Sequence, residues 1–130
     1  MGRYGELPYT MAILALSFAL FKLLGCSSPS IIAFLTPLIA LAHELIHLAS
    51  LKALGLRYAL AYESGKVGFR VTFRSPKQYI VCALSPQVLT IALLTLSVFV
   101  RELAILAVIH VAMSIHDIRA SAKYLRTLLS

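Results

Sequence analysis

The stretch from Ser30 to Leu54 reads SIIAFLTPLIALAHELIHLASLKAL. It is long enough and apolar enough to cross a bilayer as one helix. Ahead of Lys52 its only ionisable residues are two histidines and a glutamate, which fall together as HELIH at residues 43–47. Ionisable groups within hydrocarbon are costly, and they are usually functional or paired there. This stretch therefore predicts a membrane helix that carries a polar site.

The whole chain of 130 residues has the composition of a membrane protein. Hydrophobic residues make up 60% of it and charged residues only 13%, and the apolar residues fall in long runs. The formal net charge of +7 would suggest nucleic-acid binding in a soluble domain. Here the basic residues cluster at the ends of apolar runs, where they set membrane orientation. We predict one integral membrane domain over residues 1–130, in contact with the lipid bilayer and without nucleic acid.

Four apolar segments predict an all-α polytopic membrane protein with about four transmembrane helices. The predicted helices span residues 9–24, 30–54, 78–100 and 103–129. The first is short, and residues 23–26 resemble a lipoprotein cleavage box, but Lys22 directly before that box argues against cleavage. In the third, the sequence Ser85-Pro86-Gln87 breaks the helical hydrogen-bond ladder, so carbonyls there need other partners or water.

The connection between the second and third helices has the alternating pattern of a β-hairpin, at about residues 56–74. Ser64-Gly65 is the predicted turn. The hairpin is either an interfacial connection between two helices or a binding site for an extended substrate strand. In the second case Val67, Phe69 and Val71 are the candidate pairing residues. The apolar faces of the two strands are formed by Leu56, Tyr58, Leu60 and Tyr62, and by Val67, Phe69, Val71 and Phe73.

The distribution of basic residues predicts the orientation. The segment from Lys52 to Lys77 contains six lysines and arginines, counting both ends, and one acidic residue, Glu63. The C-terminal tail contains three more basic residues. The other two connections are uncharged or neutral. Because positive residues stay inside, we predict a multi-pass plasma-membrane protein with both termini and the polar site toward the cytoplasm.

HELIH matches the H-E-x-x-H pattern of zinc hydrolases. Helical residues four apart share a face, so His43 and His47 can bind one metal ion. Glu44, next to the first ligand, can take a proton from a water at the metal. Imidazole ligands suit Zn²⁺, while iron and cobalt stay open as alternatives.

A catalytic zinc site usually has a third protein ligand. Besides Glu44, Asp117 is the only acidic residue inside a predicted membrane helix, and it follows His110 and Ser114 at i, i+4, i+7 spacing. His116 is the weaker alternative, since it lies about 100° round the helix. Asp117 has a second interpretation, as an interfacial acid that pairs with Arg119 or Arg57.

Depth along the helices agrees with a shared site. His47 lies five residues before Lys52, which is about 7.5 Å at 1.5 Å per residue. Asp117 lies two residues before Arg119. Both side chains are therefore predicted near the cytoplasmic ends of their helices, where they can meet.

Three further polar residues in predicted helices are candidates for a supporting role. His110, Ser114 and Gln87 can contact a metal ligand or stabilise an oxyanion, or they can simply be satisfied by hydrogen bonds inside the protein. The last interpretation is the more common one for buried polar groups.

The order of these features resembles a known group. HELIH late in one helix, a hairpin, Leu84-Ser85-Pro86, and then Ser114-x-x-Asp117 late in a final helix resemble the zincin peptidase family of membrane proteins, whose function is unknown. They are more distantly similar to site-2 proteases, a class of intramembrane zinc metalloproteases. The resemblance covers roughly residues 30–125.

This resemblance implies zinc ligands at His43, His47 and Asp117 and a general base at Glu44. The site-2 pattern is not fully matched. There the third ligand lies in an Asp-Gly pair with an Asn-Pro pair nearby, whereas here Asp117 precedes Ile118 and the chain has no asparagine.

The predicted function is zinc-dependent intramembrane peptide hydrolysis of a membrane protein or peptide near the cytoplasmic face. The alternative is a membrane protein that binds or transports metal without hydrolysis. A third interpretation, a small structural subunit, requires no metal. The sequence leaves the oligomeric state open.

Overall fold

The computed structural model describes residues 7–63 and 66–129, and they are mostly helical. Two antiparallel strands lie between the second and third predicted helices, as the alternating pattern indicated. In chain order the elements are α1 Leu7–Leu23, α2 Pro29–Ala53, β1 Tyr58–Glu63, β2 Lys66–Val71, α3 Pro76–Leu84, α4 Gln87–Leu96, α5 Glu102–Met113 and α6 Ile115–Leu129.

Two to three stretches of the described residues are long and apolar enough to cross a membrane. Two of them are Pro29–Ala53 and Pro76–Leu96, and the third is the pair Glu102–Met113 and Ile115–Arg126 if it forms one broken span. The described part of α1, at 17 residues, falls short of the roughly 20 that a span needs. The structure therefore supports a membrane protein with two to three of the predicted four spans. The orientation stays a prediction.

The third predicted helix is broken where its proline lies. Helix α3 ends at Leu84 and α4 begins at Gln87. Pro86 has no amide hydrogen to donate to the carbonyl four residues before it, and its ring clashes with that carbonyl. The predicted interruption at Ser85-Pro86-Gln87 is thereby confirmed.

The prediction of one continuous helix over residues 103–129 was wrong, because α5 and α6 are separated at Ser114. This residue has φ −83° and ψ −1°, away from the helical value of ψ near −42°. Its hydroxyl donates to the carbonyl of His110 over 2.9 Å, beside its own backbone amide at 3.0 Å. A serine that bonds back to the i−4 carbonyl often bends a helix. The predicted stripe of His110, Ser114 and Asp117 is therefore divided between two helices.

The chain divides into two compact units, each with its own core. The first comprises Met1–Ala42 and Gln87–Ile115, and its core is built on Leu93, Leu106 and Ala107. The second comprises His43–Pro86 and His116–Ser130. The core of the second unit joins Leu51 of α2, Leu56, Cys82 of α3 and the hairpin residues Phe69, Val71 and Phe73.

The strand register brings the two predicted apolar faces together. Tyr58 pairs with Val71, Leu60 with Phe69, and Tyr62 with Val67. The Tyr58 and Phe69 rings meet edge to face at 5.7 Å. Phe69 and Val71 contact the core, whereas Leu60, which is paired with Phe69, remains 73% exposed. The predicted turn, Ser64-Gly65, lies outside the described residues.

Candidate metal centre

Helix α2 places both histidines of HELIH on one face, one turn apart. Their rings lie edge to face with centroids 4.7 Å apart. Their Nε2 atoms are 3.0 Å from each other. His43 is only 5% exposed, so its ring nitrogen is directed at its neighbour and not at solvent.

Asp117 completes the group from the first turn of α6. Its Oδ2 atom lies 3.3 Å from Nε2 of His47 and 3.5 Å from Nε2 of His43. A carboxylate in the first helical turn is favoured by the positive end of the helix dipole. His116, the weaker alternative for a third ligand, is exposed and is not one of the three converging residues.

The three atoms have the spacing that one tetrahedral ion requires. Ligands held about 2.0–2.1 Å from zinc are about 3.3–3.4 Å apart, and the three observed separations are 3.0, 3.3 and 3.5 Å. Two imidazole nitrogens and one carboxylate oxygen are also a donor set that zinc accepts. His43, His47 and Asp117 therefore fit a metal ion, and among the described residues they are the group that can hold one.

The second ring nitrogen of His47 has a partner that spacing along the chain did not predict. Nδ1 lies 3.0 Å from the backbone carbonyl oxygen of Cys82. Ser50 adds a further connection, since its hydroxyl donates to the His47 carbonyl at 2.8 Å and lies 3.3 Å from Sγ of Cys82. The available indication was Pro86, which predicted unpaired carbonyls in α3 but not which residue would reach them.

Glu44 is on α2 beside His43, and its side chain is exposed. Neighbouring residues on a helix point about 100° apart. Glu44 therefore lies outside the face that carries the two histidines. Its carboxylate is not one of the three converging ligand groups. Its predicted role as a base stays a prediction.

The three polar residues predicted to support the site belong to the first unit, where they form internal hydrogen bonds. Nδ1 of His110 lies 2.7 Å from the Thr90 hydroxyl, which donates to Oε1 of Gln87 over 3.0 Å. The Thr90 hydroxyl has one hydrogen, and it donates this hydrogen to Gln87. In the contact with His110 the donor is therefore Nδ1 of His110. Ser114 bonds to the His110 carbonyl. These contacts agree with the interpretation that the three residues are satisfied by hydrogen bonds inside the protein. A role as metal-ligand partners or oxyanion donors stays a prediction.

An aromatic cluster joins the hairpin exit, α3 and α6 in the second unit. The Tyr79 ring lies 4.6 Å from the Tyr124 ring and 5.2 Å from the Phe73 ring. Together with Arg74 and Ser75 they line a cavity of about 220 Å³. Tyr124 lies two turns after Asp117 on α6. Its contact with Tyr79 therefore helps to hold the helix that carries the third candidate ligand.

Comparison with known proteins agrees with this geometry. The family profile described as "Putative zincin peptidase" matches residues 35–127, which include HELIH, the hairpin and Asp117. No curated protein and no solved structure matches the chain. Because the matched region covers more than half of the sequence, the chain belongs to this zincin peptidase family.

Proposed function

We propose that this protein is a zinc-dependent intramembrane peptidase. The observation that carries the proposal is the convergence of Nε2 of His43, Nε2 of His47 and Oδ2 of Asp117 within 3.5 Å of one another. The three come from two helices, and α2 is long and apolar enough to span a membrane. Membership of a zincin peptidase family supports the same activity.

In the proposed mechanism His43, His47 and Asp117 would hold a zinc ion, and Glu44 would act as the general base and then as the general acid. When bound, zinc supplies Lewis-acid chemistry, which acidifies water and polarises the scissile carbonyl. Glu44 takes the proton from the attacking water and then delivers it to the amine that leaves. Its exposed carboxylate has access to water from the position next to His43, which supports this assignment.

The proposed substrate is a membrane protein or peptide that is extended near the cytoplasmic face. A helical substrate shields its amides, so the bond to be cleaved must first become extended. The hairpin offers a means for this, because among the described strands β1 and β2 pair only with each other. A substrate strand can add to the outer edge of β2, beside Val67, Phe69 and Val71. The hairpin belongs to the same unit as the candidate metal centre, which supports this arrangement.

The experiment combines metal content with cleavage in detergent-purified protein. Wild type and Glu44→Gln should each hold about one zinc per chain, whereas His43→Ala and Asp117→Ala should lose it. In vesicles with single-span membrane proteins as probes, only the wild type should cleave. A wild type without zinc after reconstitution would contradict the proposal.

A second candidate function is metal binding without hydrolysis, in a metal-holding or metal-transporting membrane protein. The observation that favours it is that His43, His47 and Asp117 form a group able to hold a metal ion without any contribution from Glu44. The same variant separates the two functions. If the wild type and Glu44→Gln both hold zinc, neither cleaves the probe proteins and both transport metal equally well or not at all, the site is assigned to metal binding alone.

A further inference from the structure

We infer that Pro86 is a positioning residue for the metal centre, because it leaves the Cys82 carbonyl without its helical donor and so makes that carbonyl the acceptor for His47. The carbonyl then selects which ring nitrogen of His47 faces the ligand group. This inference rests on the proposed metal site, and its test includes a measurement that needs no metal.

The spacing of Cys82 and Pro86 creates the unpaired acceptor. In an α-helix the carbonyl of residue 82 accepts from the amide of residue 86, and a proline has no such amide. A carbonyl oxygen has two acceptor sites. Here one receives the Ser85 hydroxyl at 2.8 Å, and the other faces Nδ1 of His47 at 3.0 Å.

The contact with Cys82 determines the tautomer of His47. A carbonyl oxygen can only accept, so Nδ1 carries the hydrogen whenever this bond is formed. In the neutral ring Nε2 is then left with its lone pair. Nε2 is the atom that lies 3.0 Å from His43 and 3.3 Å from Asp117. The nitrogen that faces the candidate ligand group is thereby the one able to bind a metal.

The acceptor itself is held firmly in place. Cys82 is 6% exposed and packs in the core with Leu51, one turn after His47 on α2. The other end of α3 is capped, because the Ser75 hydroxyl accepts from the Gln78 amide at 3.3 Å and the Gln78 side chain accepts from the Arg74 amide at 2.9 Å. The Cys82 carbonyl is therefore a fixed reference for the imidazole ring.

The test compares Pro86→Ala with Ser85→Ala. The first restores an amide that competes for the Cys82 carbonyl. The second removes the hydroxyl from the same carbonyl but restores no amide, so it is the matched control. In ¹⁵N-histidine-labelled protein without metal, the pH is raised until the ring nitrogen shifts of His47 are those of a neutral imidazole, and these shifts then report its tautomer. Zinc affinity is measured by competition with a chelator, and circular dichroism checks the fold.

In wild type and Ser85→Ala we expect the hydrogen on Nδ1 of His47. In Pro86→Ala we expect a shift toward the Nε2–H tautomer and a zinc dissociation constant about 10- to 100-fold higher, the usual cost of losing an outer partner of a ligand. An unchanged tautomer in folded Pro86→Ala would overturn the inference, as would equal affinity losses in both variants. A wild type that binds no zinc would instead contradict the proposed function, and the metal-free tautomer would still decide this inference.

Discussion

Nε2 of His47 lies 3.3 Å from Oδ2 of Asp117, although 70 positions separate them in the chain. Between them are the hairpin and helices α3 to α5, so neither the H-E-x-x-H spacing nor any local rule specifies the contact. An ion held by both would link α2 to α6. The consequences of this link are measurable as metal affinity and as stability.

Replacement of Asp117 by asparagine should abolish tight zinc binding while it preserves the shape of the side chain. The amide is a poorer ligand than a carboxylate, so we expect an affinity loss larger than the roughly 10- to 100-fold that outer-partner changes cost. The matched control is His116→Asn, at the exposed neighbouring position, which should bind zinc as the wild type does. Equal affinity in the two variants would remove Asp117 from the ligand set. Isothermal titration or chelator competition measures both.

Zinc should stabilise the folded protein, because the ligands converge only when α2 and α6 are packed in place. A ligand that binds only the folded state at 100 times its dissociation constant adds about 2.7 kcal/mol. Thermal unfolding in detergent, with zinc and with a chelator, should show a higher midpoint with the metal. Asp117→Asn is the control and should lose this difference. If the unfolding midpoint of the wild type is the same with zinc and with chelator, the result would argue against a site built from both helices.

Loss of the Tyr124 ring should weaken the metal centre without touching a ligand. Its contact with Tyr79 at 4.6 Å is worth about 0.5–1.5 kcal/mol beyond its burial. We expect Tyr124→Ala to lower zinc affinity several-fold, since α6 loses a contact that places Asp117. Tyr124→Phe keeps the ring and should behave as the wild type. If both variants bind zinc normally, the aromatic cluster has no part in holding the third ligand.

Two single variants, Phe69→Pro and Arg70→Pro, test the proposed role of the hairpin edge. Adjacent amides on a strand point to opposite sides, so one of the two donates to β1 and the other faces the open edge. The proline that replaces the residue whose amide donates to β1 should lower the unfolding midpoint, because a hydrogen bond between the strands is lost. Alanine at the same position is the control for the lost side chain, which at Phe69 includes core packing. Relative to that alanine variant, the edge-side proline should keep stability and zinc but lose cleavage, because it removes a donor that a substrate strand would use. Retained cleavage in the edge-side variant would leave the hairpin as a connection between helices.

Local features were predictable to the extent that their causes are local. The ligand pair His43 and His47 follows from helical spacing, and the joined faces of the hairpin follow from strand alternation, as the Leu60–Phe69 pair shows. The break before Gln87 follows from Pro86. The break at Ser114 was missed, because whether a serine hydroxyl bonds back to a carbonyl depends on its rotamer and surroundings, which the sequence pattern does not contain.

The sequence by itself determined a membrane protein, a helix with two histidines on one face, a hairpin and a carbonyl in α3 without its helical donor, since each depends on composition or on residues within about four positions. Only the tertiary structure decided that Asp117, and not His116, meets the histidines, and that the carbonyl of Cys82 receives His47 across 35 positions. Such contacts depend on how helices pack and on which side chain lies close enough to each acceptor to donate a hydrogen bond. These outcomes are set by the whole core rather than by spacing along the chain.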